Sequence, residues 1–152
     1  MTMVLSEEQT LLKDTARDFI QATCPVTEFR RLRDSRDDKG YSREHWQQMV
    51  ELGWPGILLP ESYGGLEFGY VGLGSVMEEA GRTLLASPLF ATVVLGAQIL
   101  ARAGSAEQRR EILPEVVQGQ HTLALALEEG FHHNPLQTSL AAISDADGFL
   151  LN

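Results

Sequence analysis

The sequence predicts a mainly α fold, a helical bundle of about six helices followed by the first strands of an incomplete β-domain. Three features predict it. Apolar residues recur at helical spacing through most of the chain. Start and stop residues punctuate them, with Ser6, Ser42 and Ser105 at helix beginnings and Gly53, Gly104 and Gly119 at ends. After Gly119 the apolar period shortens to two, as in a strand.

Taken in order, Ser6 and Gln9 read as a capping box, and Leu12, Ala16, Phe19 and Ile20 follow at helical spacing, so the first helix covers 6–22 and stops before Pro25. A short helix around 27–32 follows. From Arg30 to Glu44 the chain turns locally basic and reads as a solvated charged loop. Ser42 caps a third helix with Trp46, Met49 and Val50 on one face, and Gly53 ends it where a left-handed residue is needed. From Trp54 to Gly69, Pro55, Pro60 and the Gly64-Gly65 pair forbid a regular helix. Trp54, Ile57, Leu58, Leu59, Tyr63 and Phe68 nevertheless require that loop to pack against the core. The fourth helix runs from Tyr70 to Thr83, with Glu78 four residues before Arg82 in the favourable ion-pair orientation.

The fifth helix, 88–103, is apolar almost all round and is expected to be covered on all sides. The sixth begins with a second capping box, Ser105 and Gln108, and runs to Gly119, with Pro114 kinking it or shifting its last turn. Thr122–Leu127 alternates as a strand does. Asp145-Ala146-Asp147-Gly148 is a turn between two further strands, Leu140–Ser144 and Phe149–Leu151. These strands are too few to bury themselves, so either the polypeptide continues or another chain completes the sheet.

Composition narrows the function classes. The 12 basic side chains face 21 acidic ones, for a net charge of −9, which opposes a phosphate backbone and excludes nucleic acid as the expected partner. One cysteine, Cys24, makes neither an internal disulfide nor a thiolate metal cluster, and it fits a reducing, cytoplasmic setting. Met1 to Glu8 has no secretory pattern. The uncharged run Thr83–Ala101 is interrupted by Ser87-Pro88, and the helix from Pro88 is about 24 Å long against roughly 30 Å of hydrocarbon, so no membrane span is expected.

Catalytic constellations are sparse. His132 and His133 face opposite ways in extended chain and have no Cys or helical His companion, so no metal site is assigned. The adjacent pairs Glu7-Glu8, Glu78-Glu79 and Glu128-Glu129 point apart and form no proton-sharing dyad. Nucleophile elbows and phosphate loops are not supported.

A set of short motifs in fixed order carries more. Ser6-Glu7-Glu8-Gln9, Leu52-Gly53-Trp54-Pro55-Gly56-Ile57, Pro60-Glu61-Ser62-Tyr63-Gly64-Gly65, Glu78-Glu79-Ala80-Gly81-Arg82, Ala103-Gly104-Ser105-Ala106-Glu107-Gln108-Arg109, Ile112-Leu113-Pro114 and Asp147-Gly148-Phe149-Leu150-Leu151-Asn152 together resemble the amino-terminal part of an acyl-CoA dehydrogenase. The resemblance spans nearly the whole chain. It implies an N-terminal helical domain over 1–119 and the beginning of a central β-domain over 120–152. It also implies an FAD-dependent oxidoreductase of lipid metabolism in which a carboxylate removes the α-proton of an acyl-CoA thioester while the β-hydrogen leaves as hydride to the flavin, giving a 2-enoyl-CoA. The base lies beyond Asn152 in the common branch, so no catalytic residue is assigned within this chain. By the same resemblance Ser87, Pro88, Ala91 and Leu95 stand at acyl-pocket positions and Tyr63-Gly64-Gly65 helps wall the acyl chain. Leu125, Leu127, Glu128 and Asn134 stand at cofactor-binding positions. The implied partners are the acyl-CoA substrate, electron-transferring flavoprotein and further subunits in a homo- or hetero-oligomer.

One stretch departs from the family pattern. Members that bind FAD well carry Thr-Glu-Pro followed by Gly-Ser-Asp, where this chain has Leu127-Glu128-Glu129-Gly130-Phe131-His132-His133-Asn134-Pro135. Glu128 replaces a hydroxyl donor with an ionised acceptor beside a ring that becomes anionic on reduction. Together with Phe29-Arg30-Arg31 and Thr92-Val93-Val94-Leu95, the departure is similar to a subgroup of partner subunits in heteromeric acyl-CoA dehydrogenases. Two readings stand open: a subunit of a flavin-dependent enzyme, inactive as this chain alone, or a non-catalytic partner lacking a complete flavin site.

Overall fold

In a computed structural model, residues 4–146 and 148–151 are described. Met1 to Met3, Asp147 of the expected turn and Asn152 lie outside the described residues. The helices are α1 (Glu7–Thr23), α2 (Val26–Ser35), α3 (Arg43–Glu51), α4 (Gly69–Thr83), a π-helical segment Phe90–Gly96 that runs into α5 (Ala97–Ala103), and α6 (Ala106–Val117). A hairpin, β1 (Ala142–Asp145) and β2 (Gly148–Leu151), closes the chain.

Local chemistry explains the boundaries. Both capping boxes form: the Ser6 hydroxyl accepts from the Gln9 amide while the Gln9 side chain accepts from Ser6 N, and Ser105 and Gln108 repeat the exchange. The Ser42 hydroxyl accepts the His45 amide at 3.2 Å, and Gly53 sits at φ +76° past the end of α3. The helix expected around 27–32 extends to Ser35, which takes part of the basic stretch out of the loop. Between α3 and α4 the chain makes only two short 3₁₀ turns, Trp54–Gly56 and Glu61–Tyr63, yet Trp54, Ile57 and Leu59 are buried. α6 runs through Pro114 to Val117.

Two hydrophobic clusters result. The larger lies where α1 packs along α4, with Ile20, Met49, Trp54 and Val76 at its centre. The smaller joins α5 and α6 through Leu59, Ala97, Leu113 and Val116. Gly119 ties the end of α6 to α3: its carbonyl accepts the Trp46 indole N–H at 3.2 Å, and a Cβ there would lie 2.3 Å from a Val50 methyl.

Two expectations are corrected. The fifth helix is not covered on all sides, since Phe90 is 54% and Ile99 45% exposed, and its first half is π rather than α. An all-apolar helix conceals its period, so nothing in the pattern distinguished a wider turn. Thr122–Leu127 is not a strand. Alternation extends the backbone, but a strand also needs a ladder partner, and among the described residues this segment has none. The strands expected over 140–144 and 149–151 do form, paired antiparallel with Ile143 opposite Leu150 and Ser144 opposite Phe149. Among the described residues no helix is long and apolar enough to cross a membrane.

Candidate functional site

The acyl-pocket candidates sit at the start of the fifth helix. Leu84, at φ +56°, ends α4 and lets the chain turn. The Ser87 hydroxyl then accepts the Leu89 amide at 3.4 Å, and the Pro88 carbonyl accepts the Thr92 amide at 2.9 Å. Ser87, Pro88, Ala91 and Leu95 are all half-buried, the last three at spacings of three and four along the helix.

The extended segment after α6 lies across this helix. Leu123 is held to Thr92, and Gly96 faces it closely enough that a Cβ would lie 2.3 Å from Leu123 Cβ. Two residues on, Leu125 lines an apolar cleft of about 360 Å³ with Gly96, Ile99, Leu100 and Ile112. Leu127 follows, and both leucines are 38% exposed.

Beyond Leu127 the chain folds over its own carboxylates. The two Glu128 oxygens take the His133 ring Nδ1 and the Asn134 amide, the latter at 3.1 Å. The Asn134 side chain donates to Gln137 Oε1 at 2.6 Å. Glu129 accepts the Ser139 amide at 2.8 Å, the Ser139 hydroxyl at 2.5 Å and the Leu140 amide at 2.8 Å. Glu128 and Asn134 are thus in direct contact, whereas Leu125 and Leu127 lie upstream on the extended segment.

Sequence reasoning missed Thr92, Gly96, Glu129, His133 and Ser139. Thr92 carried a signal, as the only polar side chain between Pro88 and Ala97: a hydroxyl in such a run must find a partner. The Glu129 contacts close over ten and eleven residues and leave no periodic mark.

The Ser139 hydroxyl, with the Ser139 and Leu140 amides, holds the Glu129 carboxyl below the usual carboxylate range. A carboxyl whose folded pKa is depressed adds stability above its unfolded pKa and loses it as pH falls through the folded one. Acidification below the ordinary carboxylate range is therefore expected to release the 129–140 loop before the helices. Amide exchange measured against pH should show Ser139 and Leu140 losing protection while α1 and α4 keep theirs. Simultaneous loss in all three would show that Glu129 does not hold the loop.

Among known families, the acyl-CoA dehydrogenase N-terminal domain matches residues 6–120. The mitochondrial isovaleryl-CoA dehydrogenase of Pongo abelii is 35% identical over 127 residues, covering 82% of this chain and 30% of the relative. The crystal structure of the ChsE4-ChsE5 complex from Mycobacterium tuberculosis matches with a TM-score of 0.81 at 28% identity, over 99% of this chain and 40% of that one. An acyl-CoA dehydrogenase from Bacillus anthracis, solved in complex with FAD, matches with a TM-score of 0.81 at 26% identity, over 97% of this chain and 26% of that one. The chain spans about a third of the length of the curated relatives it matches.

Proposed function

The chain belongs to the acyl-CoA dehydrogenase family, and from that premise we propose that it is the N-terminal part of a subunit of a flavin-dependent enzyme that introduces a 2,3-double bond into an acyl-CoA thioester. Residues 1–119 are assigned to the helical domain and 120–152 to the beginning of the central β-domain. The carrying observation is that the segment leading to the candidate cofactor loop packs directly on the helix bearing Ala91 and Leu95. A reaction that moves hydrogen from acyl chain to flavin needs its two walls adjacent and dry, because orientation and water exclusion supply much of the barrier reduction. Acyl-CoA as substrate, electron-transferring flavoprotein as acceptor, an oligomeric assembly and a cytoplasmic setting, in keeping with the buried free Cys24, complete the proposal.

A second reading, the non-catalytic partner subunit, is favoured by the loop itself. Bound FAD would supply the hydride acceptor, but the residues present do not fit it. Glu128 and Glu129 are acceptors when ionised, and the amides of Asn134, Ser139 and Leu140, which could meet flavin or pyrophosphate oxygens, are engaged by those carboxylates. On this reading the flavin of the assembly is held by other residues.

The test is the FAD content and octanoyl-CoA affinity of the full-length subunit, alone and in its native assembly. The expected result is substoichiometric FAD on the subunit alone and octanoyl-CoA binding by the assembly. Tight one-to-one FAD on the subunit would exclude the partner reading, and an assembly that binds none of isovaleryl-CoA, octanoyl-CoA and a steroid-derived CoA thioester would reject both. Glu128→Thr, which frees the Asn134 amide and adds a hydroxyl, is expected to raise FAD affinity about tenfold.

A further inference from the structure

Thr92 is fully buried, and its hydroxyl spends both of its hydrogen-bonding roles on one residue: it accepts the Leu123 amide at 3.1 Å and donates to the Leu123 carbonyl at 3.4 Å. A neighbouring strand would ordinarily make such a pair of bonds. Here a helix side chain makes it, and the helix is adapted to do so. The Thr92 amide bonds four residues back to Pro88, but its carbonyl accepts the Ala97 amide five residues ahead, which places Thr92 inside the π-helical stretch Phe90–Gly96. Such π-turns are rare and recur at functional sites. Gly96, one turn on, supplies the close approach.

Resting on the functional reading above, we propose that Thr92 is a positioning residue that sets the register of the cofactor-facing segment on the substrate-facing helix. Side chains of an extended segment alternate, so a slip of one residue would turn Leu125 and Leu127 to the opposite face and displace Glu128 with them. The two bonds to Leu123 resist that slip. Ala91 precedes Thr92 and Leu95 follows it by three residues, so one anchor places both candidate walls.

The test compares Thr92→Val, which keeps the shape and deletes both bonds, with Thr92→Ser, which keeps the hydroxyl. Gly96→Ala is a second perturbation, pushing Leu123 away with the hydroxyl intact. Leu123 amide exchange is expected to rise about tenfold in Thr92→Val and in Gly96→Ala but to stay near the parent rate in Thr92→Ser, with α1 and α4 amides unchanged. In the native assembly, octanoyl-CoA affinity should fall about tenfold in Thr92→Val and recover in Thr92→Ser. Unchanged Leu123 exchange in Thr92→Val, or an equal rise in Thr92→Ser, overturns the anchor. Faster exchange with parental octanoyl-CoA affinity overturns its bearing on the site. If the parent assembly ignores octanoyl-CoA, the affinity arm uses whichever of isovaleryl-CoA or a steroid-derived CoA thioester it binds; if it binds none of the three, the functional reading fails, and the exchange arm alone decides whether Thr92 sets the register. Should Thr92→Val fail to fold, Gly96→Ala against Thr92→Ser carries the same comparison.

Discussion

Substituting Gly65 by alanine is expected to lower the unfolding free energy by about 3 kcal/mol, at the upper end of what overpacking costs. After the second 3₁₀ turn the chain doubles back on its own path, with Gly65 N–H donating to the Pro60 carbonyl at 3.1 Å, Leu66 to Gly56 at 2.9 Å and Glu67 to Leu59 at 3.0 Å. A Cβ on Gly65 would lie 2.0 Å from the Leu59 carbonyl oxygen and 2.4 Å from its carbon. Those are backbone atoms of a buried residue, so no side-chain rotation relieves the clash. Gly64 gives the contrast. It sits at φ +82° with only a Val117 methyl at 3.7 Å, so Gly64→Ala meets strain in one residue and should cost about 1–2 kcal/mol. Urea denaturation of both variants checks the order, and equal costs would show that the crossing at Leu59 is not rigid. This loop contains Tyr63-Gly64-Gly65, which the family resemblance places along the acyl chain, so the loss should also appear in octanoyl-CoA affinity.

What could be read in advance depended on how local the cause was. Ser6 with Gln9 and Ser105 with Gln108 carry their partners within one turn, and the starts of the helices they cap were legible to within a residue. Gly53 and the hairpin around Asp145 and Gly148 were legible for the same reason. The 122–127 segment was legible as extended but not in its pairing, because alternation describes one chain while a ladder needs two. At the candidate site the resemblance named Glu128 and Asn134, and the structure brings them into contact. That Glu128 meets the Asn134 amide across six residues, and Glu129 the Leu140 amide across eleven, follows from loop closure rather than from any period. Thr92 stood out as the one hydroxyl in its run, but the π turn around it was hidden, because a helix apolar on its other positions shows the same pattern whether it turns in 3.6 residues or in more.

The second large effect is expected where α1 meets α4. Glu79 is 1% exposed and its two carboxylate oxygens are taken by Arg17 of α1 at 3.4 Å and Arg82 of α4 at 3.0 Å. Both arginines reach water, so the carboxylate alone has lost its hydration, and the ion pairs compensate it. Removing one arginine leaves the other in place, so Arg17→Met or Arg82→Met should cost about 1–2 kcal/mol each. The double variant strands a buried charge and should cost about 3–5 kcal/mol at neutral pH, more than the two singles combined. Adding Glu79→Leu to that double variant should restore most of the loss, since an apolar side chain of similar volume needs no counter-charge there. The neighbouring pair sets the scale: Lys13 and Glu78 approach to 2.6 Å, yet Glu78 is half exposed, and Lys13→Ala should cost no more than about 1 kcal/mol. Denaturation of the series decides the matter. If the double variant behaves like Lys13→Ala, or if Glu79→Leu fails to rescue it, then packing along α1 and α4, rather than the compensation of Glu79, holds these helices together. Because α4 leads through Leu84 into Ser87 and Pro88, a loosened α1–α4 pair would also be expected to loosen the start of the acyl-pocket helix, which amide exchange at Leu89 and Thr92 would report.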